Sequence, residues 1–463
     1  MNGAGNPWVD RLHGLERMDR IKACVRVDAK PVEGLMSLPC ESAVVLLTNE
    51  LKRVFYPTGQ ACELLRMHVA RAQAFAGLRY PTRMSFLSDV ESDEDILAAG
   101  SCWCLTGWAG VGKSELMRAL ERLMPAPDVL SVNAQYPAQP AFSLRRIAVN
   151  ISVRETEVLR RLGNPAVFDV RQRVDLPALV AHVRTWFLRT GVVTLVGDEL
   201  QFVTQSSDAN TRVAQLLQTL SILGVPFTYV ANFSLGHRLK KRPQEGRQRL
   251  LANYQLLMPD GAETECWQGV VKTCLDAAPG AFGLSAREHS AELHRLTAGL
   301  KRVLRQLLEA AFRIAHTRVH RRCVTVDDIR AAYHSAAFAT NREDVESLIA
   351  LPHSPSIRKA RLDLVCPCPL EDARAVAGFP KSVARDKQVA RAVLHGALSR
   401  DERAAGKAIA TAAVAAESAG GNASTKQKVV RLPNRPLTVA DLLRGSEVAD
   451  RRREGGGPPE PQR

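Results

Sequence analysis

The chain has 463 residues, 46% of them apolar, and a formal net charge of +15 from 63 basic and 48 acidic side chains. That length favours several structural units, and the composition is that of a globular chain, not a collagenous or disordered one. No run of about 18 uncharged apolar residues occurs, and "MNGAGNPWVDRLHGLERMDR" lacks the apolar stretch of a secretory signal, so neither a membrane span nor a leader is expected.

The ten cysteines are scattered. Cys102/Cys104 and Cys366/Cys368 are C-x-C pairs, not the C-x-x-C spacing of common zinc sites, and His316 and His320 lack the neighbouring Glu of an H-E-x-x-H metal motif. They read as helix-surface histidines. Reduced thiols in the cytoplasm are the expectation. The charge is uneven. Residues 351–463 hold 20 Lys/Arg against 12 Asp/Glu, which is +8 of the total. A solvated tail accounts for much of that, and the +7 left on the body keeps a polyanionic partner such as nucleic acid open.

Taken in order, residues 1–90 predict a mostly helical region, with "QACELLRMHVARAQAFAGL" spaced as a helix. Tyr-Pro-Thr occurs at 56–58 and 80–82, and each copy is expected at a helix end. Residues 91–262 alternate short β-rich runs with amphipathic helices, the pattern of a parallel sheet covered by helices. "VVTLVGDEL" (192–200) and "VPFTYVANF" (225–233) are the clearest strands, joined by a helix that ends at Gly224. Residues 263–350 turn helical, and "TVDD" from Thr325 resembles a capping box. Residues 351–463 read as a basic, largely disordered tail. One compact apolar cluster in it, Leu437, Val439, Leu442 and Leu443, suits a segment that folds onto a partner; an inert linker is the alternative.

The chemistry starts at Gly107-Trp108-Ala109-Gly110-Val111-Gly112-Lys113-Ser114, a G-x-x-x-x-G-K-S run after an apolar strand and before a helical pattern. In that context backbone amides and a helix N-terminus converge on phosphates, Lys113 reaches the outer phosphates and Ser114 ligates Mg²⁺. Gly107, Gly110 and Gly112 give the loop its close approach. The strand "VVTLVGDEL" ends in Asp198-Glu199. Its aspartate suits Mg²⁺ and its glutamate suits the deprotonation of an attacking water; a helix-capping acid pair is the bland alternative. Gly197 replaces the apolar residue expected in such a strand. Asn232 ends the next strand, where it would touch the γ-phosphate or the water, unless it is a plain turn asparagine. Arg247 and Arg249 in "KKRPQEGRQRL" are candidate arginine fingers for a neighbouring subunit, or a basic surface. Arg302 in "GLKRVL" heads a helix from which it can fold back on the γ-phosphate.

This set, in this order, resembles the AAA+ class of P-loop ATPases over residues 100–335. The class implies a parallel β-sheet flanked by helices, a small α-helical lid, ATP and Mg²⁺ as ligands, and ATP hydrolysis. Within the class, "LKKRPQEGRQRLL", "TAGLKRVLRQLL" and "VTVDDIRAAYHSAAFATNREDVESLI" are similar to the TnsC/TniB family of bacterial transposition regulators. That resemblance implies an oligomer, a ring or filament, on double-stranded DNA that recruits or activates a transposase under a target-selection protein, near the nucleoid. Two alternatives stand beside it: a STAND-type signalling switch, disfavoured because no repeat array follows the lid, and a replication initiator or helicase loader, disfavoured because residues 351–463 are too rich in Ala, Pro and Gly to make a helix-turn-helix module. An ATP-binding scaffold that barely hydrolyses is disfavoured by Glu199. The 85 residues from Lys113 to Asp198 are long for the class, so an insertion is expected in "LSVNAQYPAQPAFSLRRIAVNISVRETEV". Arg145 and Arg146 there are candidate DNA contacts or plain surface residues.

Overall fold

The computed structural model describes residues 6–82, 102–131, 138–148, 154–163, 175–198, 207–318 and 323–367. All of them fall in one compact unit, Met1–Leu394. The Leu437–Leu443 cluster, Cys368, His320 and Glu199 lie outside the described residues.

The chain opens with four helices: α1 (Pro7–Asp10), α2 (Met18–Val25), α3 (Cys40–Arg53) and α4 (Gly59–Arg79). Both Tyr-Pro-Thr copies flank α4. The Thr58 hydroxyl accepts the Ala61 N–H at 3.4 Å and caps its start. Tyr80 closes its end, fully buried, with its hydroxyl donating to the Leu188 carbonyl at 3.2 Å. Along α4, Ala61, Leu65, Val69, Ala72 and Ala76 recur at three- and four-residue steps, which makes one buried stripe.

The sheet follows. After β1 (Cys102–Thr106) come α5 (Lys113–Leu123), β2 (Asp128–Leu130), β3 (Gln139–Ala141), β4 (Leu144–Ala148), α6 (Glu155–Leu162) and α7 (Leu176–Arg189). Then come β5 (Thr194–Asp198), α8 (Ser207–Ser221), β6 (Phe227–Ala231), α9 (Phe233–Lys240), α10 (Gln244–Leu251) and β7 (Asn253–Leu256). Five strands pair in parallel in the order β4-β5-β6-β1-β7. Parallel neighbours require long crossovers, and helices supply them. The two strands expected from sequence are β5 and β6, and the helix between them ends three residues before Gly224, which turns the chain with φ 82°.

Alternate residues of a strand face opposite sides, and the cores follow that rule. Leu105, Val196 and Val230 join one apolar cluster, whereas Cys104, Leu195, Phe227 and Tyr229 join another. The first cluster also contains the N-terminal helices and the lid, so residues from Trp8 to Leu364 share one core. Gly197 sits in register with Ile147 and Tyr229, and all five β5 residues stay buried. The stretch expected to hold an insertion is partly the sheet itself. Its residues 144–148 are the outer strand β4, and among the described residues β2 and β3 form a separate antiparallel ribbon.

Beyond α11 (Glu265–Leu275) the described residues carry further helices, as their pattern indicates: α12 (Ala286–Thr297), α13 (Lys301–Thr317), α14 (Val326–His334), α15 (Ala339–Ala350) and α16 (Pro355–Ala360). The capping box is present, with the Thr325 N–H donating to Asp328 Oδ2 at 2.9 Å. The helical pattern over 291–319 breaks at Ala298 and Gly299, with φ of 50° and 69°, and this turn sends α13 back toward the sheet. On α13, Leu304, Leu308, Ala311 and Ala315 form the buried stripe. Helix α3 braces its far end: the Thr48 hydroxyl donates to Glu309 Oε2 at 2.9 Å, and His316 Nε2 lies 2.9 Å from the Leu38 carbonyl oxygen. No helix among the described residues is long and apolar enough to cross a membrane.

The N-terminus is pinned beside β5 by one tight contact. Trp8 is 1% exposed and stacks at 5.7 Å on Tyr80. Gly191 lies against it with φ 64°, and a Cβ there would come within 2.3 Å of the indole. Gly191→Ala therefore combines a left-handed backbone with overpacking, together about 2–4 kcal/mol. The urea midpoint should fall accordingly, and an unchanged midpoint would show that the indole has room to move.

Candidate nucleotide site

Three neighbouring strand ends build the site. The loop between β1 and α5 turns at Gly107, where a Cβ would meet the Leu257 carbonyl oxygen at 2.2 Å. Leu257 in turn donates its N–H to the Thr106 carbonyl at 2.9 Å, so the loop base is clamped to the strand end of β7. Gly110 and Gly112 follow, both with positive φ, and Lys113 begins α5. Its side chain curls back over the loop and donates to the carbonyls of Gly107 at 2.8 Å and Trp108 at 2.9 Å. Only 6% of Lys113 is exposed. Burial, reinforced by the positive charge of Arg302, pushes its ammonium down to about 7.

Next to it, the Ser114 hydroxyl donates to Asp198 Oδ1 at 2.9 Å. Asp198 ends β5 and is 1% exposed. A hydroxyl and a carboxylate side by side are the hard oxygen donors that Mg²⁺ selects, so these residues fit the ion. Strand β6 lies between β1 and β5, and its tip carries Asn232 as the N-cap of α9. The sheet order thus sets Asn232 between the phosphate loop and Asp198.

A cleft of about 280 Å³ opens between the loop, Asn232 and α13. Among the described residues its charged walls are Lys113, Arg118, Arg302 and Arg305 against Glu115. Four cations to one acid make an anion site. Arg302 is brought in by its backbone, whose N–H donates to the Gly110 carbonyl at 3.0 Å. Arg305 pairs with Glu115 across the lid–loop junction. Sequence reading missed Arg118 and Arg305. The signal for Arg305 was its i,i+3 spacing from Arg302, which puts both on one face of α13.

Other expected residues lie elsewhere. Arg247 and Arg249 are exposed on α10. Arg247 borders a separate cleft of about 240 Å³ with Lys240, Tyr254 and Pro367, so within one chain no arginine finger reaches Lys113 from α10. Arg145 and Arg146 sit on β4. The Arg145 guanidinium lies 5.3 Å from the Phe142 ring centre and donates to the Arg161 carbonyl at 3.1 Å. Arg146 donates from Nε to Glu121 Oε2 at 2.9 Å and approaches Asp198 Oδ2 at 3.7 Å. Glu199 follows Asp198 directly, outside the described residues.

A family model described as "AAA domain" matches residues 98–235, which span the phosphate loop, Asp198 and Asn232. The fold is that of an AAA+ P-loop domain. No curated protein matches the chain. Among solved structures, the Orc1 protein of Aeropyrum pernix in complex with DNA is 17% identical, covering 66% of this chain and 70% of that one at a TM-score of 0.38. Cdc6p from Pyrobaculum aerophilum is 15% identical, covering 58% and 65% at the same score. The FIGL-1 AAA domain is 17% identical, covering 59% and 84% at 0.33. In this structure α13 contacts the loop and the helix after it through the Arg302 backbone N–H and the Arg305–Glu115 pair.

Proposed function

We propose that the chain is a Mg²⁺-dependent ATPase that assembles on double-stranded DNA and there regulates the recruitment of a partner. The observation that carries the ATPase reading is the cleft that gathers Lys113, Ser114, Asn232 and Arg302, with Asp198 accepting the Ser114 hydroxyl beside it. Each has a task. Lys113 and the loop amides hold the phosphates, while Arg302 and Arg305 bring the lid onto them. Asn232 and Glu199 orient a water, and Glu199 takes its proton. Mg²⁺, held by Ser114 and Asp198, supplies Lewis-acid stabilisation of charge on the phosphate oxygens. Arg247, exposed and no part of the lining of its own chain's nucleotide cleft, is placed to complete a neighbouring subunit's site.

DNA enters through the charge excess and through the similarity to transposition regulators in three quoted stretches. On that reading the partner is a transposase, and the tail segment around Leu437–Leu443 is the natural docking peptide. A replication initiator or helicase loader is the second reading. Both readings expect duplex binding through phosphates with little sequence preference. Affinity should then fall steeply, by a factor of ten or more, between about 50 and 200 mM salt. Negative-stain imaging with duplex DNA and a non-hydrolysable ATP analogue should show rings or filaments. Binding that ignores both nucleotide and salt overturns the DNA-clamp reading, and pull-downs with a transposase or a replicative helicase separate the two partners.

A further inference from the structure

The outer strand of the sheet carries a cation into the metal side of the cleft. Arg146 lies on β4 two residues before Ala148, and Ala148 is in register with Asp198 on β5. Residues two apart share a face, so the Arg146 side chain stands on the same face as the carboxylate. Its Nη1 lies 3.7 Å from Asp198 Oδ2, while Oδ1 of the same carboxylate accepts the Ser114 hydroxyl. The pair is sheltered: the Arg146 side chain is 24% exposed and that of Asp198 2%. A second tie fixes the guanidinium. Its Nε donates to Glu121 at 2.9 Å, on α5, the helix that Lys113 begins.

We propose that Arg146 is a built-in competitor of Mg²⁺ at Asp198, a positioning residue that makes the metal bind only together with nucleotide. This rests on the ATPase reading and on Asp198 as its metal-side carboxylate. A fixed positive charge a few ångströms from the donor pair repels a divalent ion, and weak solvent screening makes that repulsion count. Mg²⁺ alone therefore meets a carboxylate already neutralised. Mg²⁺ with a polyphosphate brings enough negative charge to outweigh the guanidinium. Glu121 shares the guanidinium with Asp198 and offsets part of its charge, so the competition at Asp198 is held below its full strength.

The test is a Mg²⁺ titration of binding of a fluorescent, non-hydrolysable ATP analogue, which reads occupancy without turnover. Arg146→Gln should lower the Mg²⁺ midpoint by about 3- to 10-fold, since a neutral side chain of similar reach removes the competing charge. Arg146→Lys should stay near the wild type. Glu121→Gln, which leaves the guanidinium to Asp198 alone, should raise the midpoint, and it serves if Arg146→Gln does not fold. A midpoint that is unchanged or raised in Arg146→Gln overturns the proposal, as does one lowered in Glu121→Gln. Wild-type protein that binds no analogue at any Mg²⁺ concentration sinks the ATPase reading itself, which is a different failure.

Discussion

Lys113→Ala abolishes nucleotide binding at concentrations where the wild type is saturated. The lysine is the most deeply buried cation of the cleft, and its two carbonyl partners hold it over the loop where the outer phosphates would lie. Truncating one member of a buried, hydrogen-bonded charge pair costs about 2–5 kcal/mol. That is a weakening of roughly 30- to several thousand-fold. The nucleotide-free protein should melt close to the wild-type temperature, because burial already disfavours the charged ammonium. Equilibrium binding of the fluorescent analogue and a melting curve together check this. Binding within twofold of wild type would remove Lys113 from the site.

Glu199→Gln keeps nucleotide affinity and loses turnover. The amide has the same shape but cannot take a proton from water, and general-base catalysis contributes about 10²–10⁴-fold. Single-turnover hydrolysis should fall by that range while the ATP-bound form accumulates. The same variant tests the subunit boundary. Arg247→Ala should also be slow, yet an equal mixture of the two variants should recover part of the activity, since one of its interfaces carries both native groups. Hydrolysis by Glu199→Gln at the wild-type rate refutes the base assignment. Failure of the mixture to recover refutes Arg247 as a finger supplied in trans and leaves Arg249 as the candidate.

The sequence exposed what is local. The phosphate loop is contiguous, its strand and helix flank it, and the carboxylate of Asp198 ends a run of apolar residues that can only be a buried strand. The capping box at Thr325 is likewise a four-residue signal, and it formed. What stayed hidden is pairwise and distant. Glu115 and Arg305 are 190 residues apart, and no periodicity links them. Strand β4 was missed because "LRRIA" at a sheet edge is half polar and carries no alternation strong enough to announce it. Once it is a strand, Arg146 stops being a residue of an added loop and stands beside Asp198. The break at Ala298 was masked by helical spacing on both sides, although Gly299 marked the place.

The chain leaves the lid by an unexpected route. After α16 it returns to the sheet, where the Trp108 indole N–H donates to the Leu364 carbonyl at 2.8 Å and His237 Nε2 lies 2.8 Å from the Val365 carbonyl oxygen. Leu364 is buried there, and Pro367 abuts Gly236. Trp108 belongs to the phosphate loop, and His237 to the helix that Asn232 caps. Tension applied to the chain beyond Pro367 is therefore delivered first to these two anchor points, ahead of the lid. The last described residues form a bridle fastened to the phosphate loop on one side and to the helix behind Asn232 on the other.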